Sequence, residues 1–321
     1  MMQRVFVIGA TGTIGRATVR QLVARGHDVV CLLRDHSAVH DPALQGAVLR
    51  FGDVKDPASI KRDGLDGERF DAIISTLASR TGLTHDAWAV DYGAHSALLK
   101  VAQETGIGHM VLLSALCVQK PRLAFQNAKL AFERELIASG LTYAIVRPTA
   151  FFKSLSGQVQ RVKDGKPYIM FGDGMMTACK PISDDDLAAF LISCLEYERY
   201  WNRLLPIGGP GSAITPREQG EMIFAALGRK AKFKSVPIGL LKTIRATLAG
   251  LAPLNRTIAN KAELAAIGLY YATESMLVLN PETGLYDADA TPSTGADTLA
   301  DYYQRLIRGE LKDDRGDHAV F

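Results

Sequence analysis

Three glycines near the amino terminus have the spacing of a phosphate-binding loop. Gly9, Gly12 and Gly15 follow directly after the apolar run at residues 5–8. Such a loop needs glycine for a tight turn, for close approach of the backbone to a pyrophosphate, and for contact between helix and strand. A helix that begins near Thr13 would direct its amide groups and its dipole at the phosphates. The sequence therefore predicts a dinucleotide site whose loop contacts are Gly9, Thr11, Gly12, Thr13, Ile14 and Gly15.

The end of the second predicted strand indicates which dinucleotide binds. Enzymes that use NAD usually carry an acidic residue there, which binds the ribose 2′-hydroxyl. This chain has Arg34 at that position, and a guanidinium suits a phosphate dianion. The sequence therefore favours NADP(H) over NAD, although Asp35 follows at once and is able to contact a ribose. If the glycine loop were not a nucleotide site, Arg34 would be an ordinary exposed arginine.

Further candidate cofactor contacts follow the other predicted strands. Parallel strands end at one edge of a sheet, where ligands of such folds bind. Asp53, after the third strand, either contacts the adenine or caps a short helix near Pro57. The small residues at the end of the fourth strand allow the backbone to pass close to the nucleotide. The contacts predicted at these strand ends are Asp53, Val54, Thr76, Leu77, Ser114 and Pro148.

Strands and helices alternate along the first half of the chain. Strands are predicted at residues 5–8, 28–33, 47–51, 70–77, 110–113 and 143–146, and one long helix at residues 86–105. The alternation predicts an α/β fold of the Rossmann type, a doubly wound parallel sheet with a smaller, mostly helical carboxyl-terminal lobe. The predicted domains are a dinucleotide-binding domain at 1–150 and a substrate-binding lobe at 151–321. Part of 178–210 is expected to pack back on the first domain.

The composition argues against several classes of protein. The net charge is only +3, and positive and negative residues are interspersed, so the sequence shows no basic patch typical of nucleic-acid binding. The four cysteines are far apart and form no CxxC pair, so no metal ligand is assigned and each is expected to be a small buried hydrophobe. No leader and no membrane-spanning run is recognised, which predicts the bacterial cytoplasm, or the chloroplast if a transit peptide was removed. Residues 312–317 predict a loose acidic tail.

Residues 238–251 form an apolar stretch in which only Lys242 and Arg245 are charged. Its first interpretation is a buried helix. A helix on a membrane surface is the second, which would make the protein a peripheral membrane partner. A lid over an apolar ligand is the third.

The motifs of the first half resemble the atypical short-chain dehydrogenase/reductase family. The resemblance rests on the glycine loop GATGTIG, on Ser114, on Lys129 and on the sequence RPT at 147–149. Ordinary members carry YxxxK, in which the lysine binds the nicotinamide ribose and the tyrosine transfers a proton. Here Phe125 stands at the tyrosine position, and a phenyl ring donates no proton. The departure implies the isoflavone-reductase-like branch, whose members often reduce carbon–carbon double bonds or work through lysine.

Longer segments of the second half resemble the divinyl chlorophyllide 8-vinyl-reductases. They are KPISDDDLA at 180–188, YYATESMLVL at 270–279, PETG at 281–284, TPS at 291–293 and DTL at 297–299. The resemblance implies NADPH-dependent reduction of the 8-vinyl group of 3,8-divinyl chlorophyllide, or of its protochlorophyllide precursor, to ethyl. A vinyl group conjugated to a tetrapyrrole spreads negative charge into the macrocycle. A missing tyrosine therefore matters less here than in a ketone reductase.

The implied substrate is a flat apolar disc with a carboxylate and a central magnesium. Its cleft should be lined by large apolar side chains, for which the candidates are Phe151, Phe152, Met170, Met175 and Met176. Each could equally belong to the core of the smaller lobe, since methionine fills cores and pockets alike. Lys129 is the candidate catalytic residue, and it either grips the ribose or donates the proton, directly or through water.

Other functions fit the same residues. An isoflavone-reductase-like enzyme would reduce another aromatic substrate with NADPH. A sensor would bind NADP(H) without turning it over, and a pigment-assembly protein would hold chlorophyll intermediates for other enzymes. Pigment binding without NADPH oxidation would favour the assembly protein, whereas cofactor binding without affinity for pigment would favour the sensor.

Overall fold

The computed structural model describes residues 2–311 of the chain. The chain folds into two compact units. Among the described residues, unit 1 comprises 2–148 and 184–206, and unit 2 comprises 149–183 and 207–311. The predicted acidic tail at 312–317 lies outside the described residues.

Unit 1 is built on a seven-stranded parallel sheet with the strand order β3-β2-β1-β4-β5-β6-β8. The strands are β1 (Arg4–Ile8), β2 (Asp28–Leu33), β3 (Val48–Phe51), β4 (Ala72–Ser75), β5 (His109–Leu113), β6 (Thr142–Pro148) and β8 (Arg203–Ile207). The strand order reverses between β1 and β4, and this switch point is where doubly wound sheets bind their ligands. The structure thus confirms the predicted fold class.

Helices cover the sheet of unit 1. They are α1 (Thr13–Ala24), α2 (Pro57–Ser59), α3 (Thr84–Ala87), α4 (His95–Thr105), α5 (Ala124–Ala138) and α7 (Asp184–Glu196). Strands β1, β2, β4 and β5 are almost wholly buried because their sequences are nearly continuously apolar, as a sheet covered on both faces requires. Helix α7 joins this unit by packing on α1, where Arg25 Nη1 lies 2.9 Å from Glu196 Oε2.

The long helix predicted at residues 86–105 is wrong as a single α-helix. A π-helical turn, Trp88–Ala94, separates α3 from α4. The apolar spacing that predicts one helix continues through all three segments, so hydrophobic periodicity does not reveal the wider turn. Asp91 lies within this turn and is almost completely buried.

Unit 2 combines short strands with helices. Its strands are β7 (Tyr168–Phe171), β9 (Phe233–Val236), β10 (Val278–Leu279) and β11 (Tyr286–Asp287); its helices are α6 (Val159–Lys163), α8 (Pro216–Ala226), α9 (Ile238–Leu251), α10 (Arg256–Thr273) and α11 (Leu299–Ile307). Helix α8 begins with a capping box, in which Thr215 and Glu218 bond each other's backbone amides. At the centre of the core, fully buried Tyr303 donates its hydroxyl to the carbonyl oxygen of Leu155, 2.9 Å away.

Helix α9 corrects the first interpretation of its sequence. None of its residues is buried, so it is not a core helix. It packs against α10, and partial cover falls on Ile238, Leu241 and Leu248. Apolar composition predicts a helix here but does not say what covers it.

The four cysteines are all buried, as the sequence predicts, and none of them forms a disulfide bond. Burial raises the pKa of Cys31, Cys179 and Cys194 to about 12. Since the thiolate is the reactive form, these three side chains act as small hydrophobes at neutral pH.

Candidate active site

The glycine loop between β1 and α1 folds so tightly that two of its glycines admit no side chain. Gly9 has φ +80°, and a Cβ there would lie 2.5 Å from the backbone nitrogen of Leu77. A Cβ on Gly15 would lie 2.1 Å from the carbonyl oxygen of Gly9. Backbone packing alone therefore requires glycine at these two positions.

Gly12 has a different environment. The nearest atom to a Cβ built there is the carbonyl oxygen of Gly9, at 3.4 Å, so this side of the backbone is open. Gly12 is the N-cap of α1, and within the described chain no side chain caps the helix and its first turn carries no acid. An open backbone at an uncapped helix amino end suits a pyrophosphate. The loop residues thus fit a dinucleotide.

Arg34 and Asp35, which follow β2, differ in exposure and in hydrogen bonding. The Arg34 side chain is 78% exposed, and its Nε lies 3.7 Å from Asp35 Oδ2. Asp35 accepts a hydrogen bond from the backbone nitrogen of Ser37 at 2.9 Å and starts a short 3₁₀ turn. Hydrogen bonds from Ser37, with a smaller contribution from Arg34, lower the pKa of Asp35. Asp35 is engaged in local structure, whereas the guanidinium extends into solvent where the 2′-phosphate is predicted.

Asp53 does not cap the short helix near Pro57, which corrects one of its two predicted roles. That cap is Asp56, whose carboxylate accepts from the nitrogen of Ala58. Asp53 instead accepts from the nitrogen of Lys55 at 2.9 Å and remains exposed. Its neighbour Val54 is partly buried against the core of unit 1. Contact with the adenine stays a prediction for both residues.

The two residues after β4 hold the glycine loop in place. The Thr76 nitrogen donates to the carbonyl oxygen of Ile8 at 3.0 Å, and its hydroxyl donates to that of Gly9 at 3.1 Å. Leu77 packs partly against the core. Their predicted contact with the cofactor is therefore backbone contact, since the Thr76 side chain is already bonded to the loop.

Lys129 lies in a buried ion pair that the sequence did not predict. Its Nζ is 2.9 Å from Oδ1 of Asp91, and Ser79 donates to the same carboxylate from both its nitrogen and its hydroxyl. Burial alone would raise the pKa of Asp91, but the Lys129 ammonium and the Ser79 hydroxyl outweigh it and hold the pKa below its usual value. The pair fixes the position of the ammonium without making it inaccessible, because the Lys129 side chain is 11% exposed.

A buried histidine adjoins this pair. His95 Nε2 lies 2.7 Å from the hydroxyl of Ser75, and Nδ1 lies 3.0 Å from the carbonyl oxygen of Val90. Burial first, and then the positive charge of Lys129, lower the pKa of His95 to about 4. The imidazole is consequently neutral at physiological pH and links the end of β4 to the start of α4.

Ser114 belongs to a second buried cluster at the ends of β5 and β6. Its hydroxyl donates to Oε1 of Glu133, and the guanidinium of Arg147 pairs with the same carboxylate. Glu133 is 2% exposed. Pro148 ends β6 beside Arg147 and is buried. The Ser114 hydroxyl is therefore occupied within the protein, and a cofactor contact would come from its remaining hydrogen-bonding capacity or its backbone.

The apolar residues proposed for the substrate cleft fall into two groups. Phe152 and Met170 lie in the core of unit 2, so packing alone accounts for them. Met175 and Met176 are about half exposed, in a loop where Gly172 and Gly174 have positive φ. Phe151 is partly buried and pairs with Ile182 through an isolated β-bridge.

Segments that carry the resemblance in the second half bind one another in unit 2. Lys180 is buried, and its Nζ donates to the carbonyl oxygen of Thr291 at 2.9 Å and to the hydroxyl of Ser293 at 3.3 Å. The nitrogen of Ala178 donates to the hydroxyl of Ser275 at 3.0 Å. The motif residues Lys180, Ser275, Thr291 and Ser293 therefore help to hold unit 2 together.

Sequence reasoning missed Asp91, Ser79, His95 and Glu133. Glu133 could have been found from the sequence, because it follows Lys129 by four residues and therefore lies on the same face of α5. Asp91 lies among apolar residues at helical spacing in the sequence. Only the presence of an acidic residue among them would have indicated a role for it. Within residues 2–311, no group of three His, Cys, Asp or Glu side chains is arranged to hold a metal ion.

The fold and the glycine loop are those of an NAD(P)H-binding protein, and comparison with known proteins agrees. Residues 9–198, more than half of the chain, match the family described as NAD(P)H-binding, and the chain belongs to it. An NADPH-dependent quinone oxidoreductase of Escherichia coli, solved with NADPH, has the same fold with a TM-score of 0.70; it is 17% identical, and the match covers 94% of this chain and 99% of that one.

Two plant proteins specify the family further. The chloroplastic divinyl chlorophyllide a 8-vinyl-reductase of Zea mays is 49% identical over 99% of this chain and 82% of its own length. The protein of that name from Arabidopsis thaliana is 48% identical over 95% of this chain and 76% of its own length. The chain belongs to the divinyl chlorophyllide a 8-vinyl-reductase family. Among the helices of residues 2–311, none has the length and apolarity needed to traverse a bilayer.

Proposed function

We propose that this protein reduces the 8-vinyl group of 3,8-divinyl chlorophyllide a, or of the corresponding protochlorophyllide, to an ethyl group with NADPH. The observation that carries the proposal is the 49% identity over 99% of the chain to a protein with this named activity. The packing of the glycine loop and the buried Lys129–Asp91 pair support the proposal. A cytoplasmic location remains a prediction.

NADPH is the proposed cofactor because of Arg34. Its exposed guanidinium at the end of β2 matches the charge and the oxygen geometry of a 2′-phosphate. Gly12 and the amino end of α1 would hold the pyrophosphate, and the backbone after β4 would lie along the ribose and nicotinamide.

The reaction chemistry is compatible with Phe125 at the place of the usual tyrosine. When bound, NADPH supplies a hydride, and conversion of a vinyl to an ethyl group also consumes one proton. Conjugation with the macrocycle spreads the developing negative charge, so no oxyanion needs a phenol donor. Lys129 is assigned to the nicotinamide ribose, with its ammonium oriented by Asp91. Proton donation by Lys129 is the alternative role.

Met175 and Met176 are the proposed pigment contacts of unit 2, because their apolar side chains are exposed. We expect the double substitution to Ser to raise the KM for pigment about tenfold, as the loss of two apolar contacts implies. The KM for NADPH should stay unchanged. Replacing the exposed Leu285 by Ser is the matched control, and an unchanged KM for pigment in the double variant would contradict the assignment.

An absorbance assay tests the function directly. Purified protein is mixed with 3,8-divinyl chlorophyllide a and NADPH, beside a run with NADH. We expect a blue shift of the Soret band with NADPH and little change with NADH. Absence of a shift while pigment stays bound would contradict the reductase and favour a pigment-assembly protein. Cofactor binding without affinity for pigment would favour a sensor, and turnover of a different aromatic substrate alone would favour an isoflavone-reductase-like enzyme.

A further inference from the structure

One stretch of unit 2 is unusually basic. Residues 222–262 contain eight Lys or Arg and no Asp or Glu, although the whole chain has a net charge of only +3. The stretch includes β9, α9 and the start of α10. The eight cations are Arg229, Lys230, Lys232, Lys234, Lys242, Arg245, Arg256 and Lys261. All eight side chains are exposed.

Large apolar side chains are exposed in the middle of this basic stretch. Leu240, Ile244, Leu251 and Leu254, here called the apolar stripe, are between 42% and 75% exposed. The first three are separated by four and seven residues, so they lie along one face of α9. Soluble surfaces rarely expose so many large apolar residues along one helix without a partner.

We propose that α9 binds the surface of an anionic lipid bilayer, with the apolar stripe inserted at the headgroup boundary and the surrounding cations on the lipid charges. A helix with large apolar side chains on one face and Lys or Arg on another is typical of interfacial binding. Neighbouring basic residues add electrostatic attraction to anionic lipids. The surface includes neither Lys129 nor the glycine loop, so the inference is independent of the proposed reductase activity.

The charge argues against a second copy of this chain as the partner. A symmetric dimer would bring the same surface of each copy together, and each copy would carry the eight cations of the stretch. Like charges at an interface oppose association. An anionic surface removes this repulsion and covers the apolar stripe at the same time.

Vesicle sedimentation tests the proposal with the full-length protein, without pigment or NADPH. The vesicles contain phosphatidylcholine alone or with about 30% phosphatidylglycerol. We expect the protein to sediment with the anionic vesicles, to bind neutral ones at least about tenfold less, and to be largely released at about 0.5 M salt. Failure to sediment with anionic vesicles at low salt would overturn the proposal. The reductase assay contains no lipid, so either proposal can fail without the other.

Matched variants identify the surface. The pair Ile244→Gln and Leu251→Gln should reduce vesicle binding about tenfold, whereas Ile137→Gln with Leu285→Gln should not, although these control side chains are similarly exposed. Unaltered binding by the first pair would contradict the assignment of α9.

Charge-reversal variants test whether the basic residues of α9 bind the lipid. Lys242→Glu with Arg245→Glu should weaken binding to anionic vesicles, while Lys55→Glu with Lys100→Glu, also exposed, should weaken it much less. Equal weakening by both pairs would refute a localised surface. A concentration-dependent dimer that the Gln pair abolishes, together with no vesicle binding, would identify a second copy as the partner and overturn the proposal.

Discussion

The two ends of the sheet in unit 1 differ in how completely their buried polar groups are hydrogen-bonded. At the carboxyl end, Asp91 and Glu133 are each buried with a cation and a serine hydroxyl as partners. At the amino end, the rings of His109 and Trp201 pack edge to face at 5.1 Å. Neither His109 Nε2 nor the indole nitrogen of Trp201 has a hydrogen-bond partner among the described residues.

The difference reflects charge. A buried carboxylate without partners is very unfavourable, so each one at the carboxyl end has a complete set. Burial lowers the pKa of His109 to about 4, so the His109–Trp201 pair is uncharged at neutral pH and tolerates incomplete bonding. Substitutions of the buried charges at the carboxyl end should therefore affect both stability and activity, whereas substitution of His109 should affect stability only, and mainly in acid.

Lys129→Met should have the largest effect, because it leaves Asp91 buried without its cation. Loss of one partner of a buried pair lowers the free energy of unfolding by about 3–5 kcal/mol. Loss of a charged hydrogen bond to the ribose lowers kcat/KM by about 10- to 100-fold. Chemical denaturation and stopped-flow single turnover measure the two effects.

The single-turnover rate separates the two roles of Lys129. Weaker NADPH binding with an unchanged rate at saturation would indicate a ribose contact and exclude proton donation. Adding Asp91→Asn should recover part of the lost stability, since no buried charge then remains without a partner. Lys100→Met, at an exposed position, serves as control.

Glu133→Gln should have the second largest effect. The amide keeps the shape of the carboxylate but removes the charge that binds Arg147 and accepts from Ser114. We expect the free energy of unfolding to fall by about 2 kcal/mol, as for loss of a charged hydrogen bond. A variant as stable as the parent protein would show that this cluster contributes nothing to stability.

Arg34→Ala should act on cofactor choice alone. Removing the guanidinium should raise the KM for NADPH about tenfold, through loss of a charge-assisted contact, and leave the KM for NADH unchanged. Steady-state kinetics with both cofactors measures this, and the folded state should be unaffected because the side chain is exposed. Arg62→Ala, another exposed arginine, is the control. Equal changes for both cofactors would rule out a 2′-phosphate contact.

His109→Phe should have the smallest effect at neutral pH and test the amino end. The folded pKa of about 4 lies below the ordinary value near 6.5, so the unfolded chain takes up a proton between these values and the folded chain does not. The parent protein therefore loses stability as pH falls from 6.5 to 4, by about 2 kcal/mol at pH 5 for this group. The variant lacks that loss, although His95 contributes a similar one.

Unfolding at pH 7 and pH 5 tests the prediction. We expect little difference between the variant and the parent protein at pH 7, because Phe keeps the ring contact with Trp201. The variant should be the more stable protein at pH 5. A difference that is the same at both pH values would mean that His109 does not titrate as described.

The sequence predicted the parts of the molecule that follow local rules. Apolar runs identified the first six strands of unit 1, and the spacing of Gly9, Gly12 and Gly15 identified the loop whose packing requires glycine at Gly9 and Gly15. It offered Asp53 as a cap of the short helix, whereas Asp56 is the cap, because an acidic residue three positions earlier looks equally suitable in the sequence. Nor could it find the partners of Lys129, which are brought together only by the sheet.

The π-helical turn at Trp88–Ala94 has a consequence for how the site tolerates change in chain length. A π-turn closes its hydrogen bonds over five residues instead of four, so it contains one more residue than an α-helical turn. Deleting one residue of this turn other than Asp91 would restore an ordinary α-helical turn, and α3 and α4 would keep their phase because both kinds of turn complete about one rotation. Deleting one residue from α4 would instead rotate the residues on one side of the deletion by about 100°. We therefore expect a single-residue deletion in α4 to harm the site more than one in the wider turn.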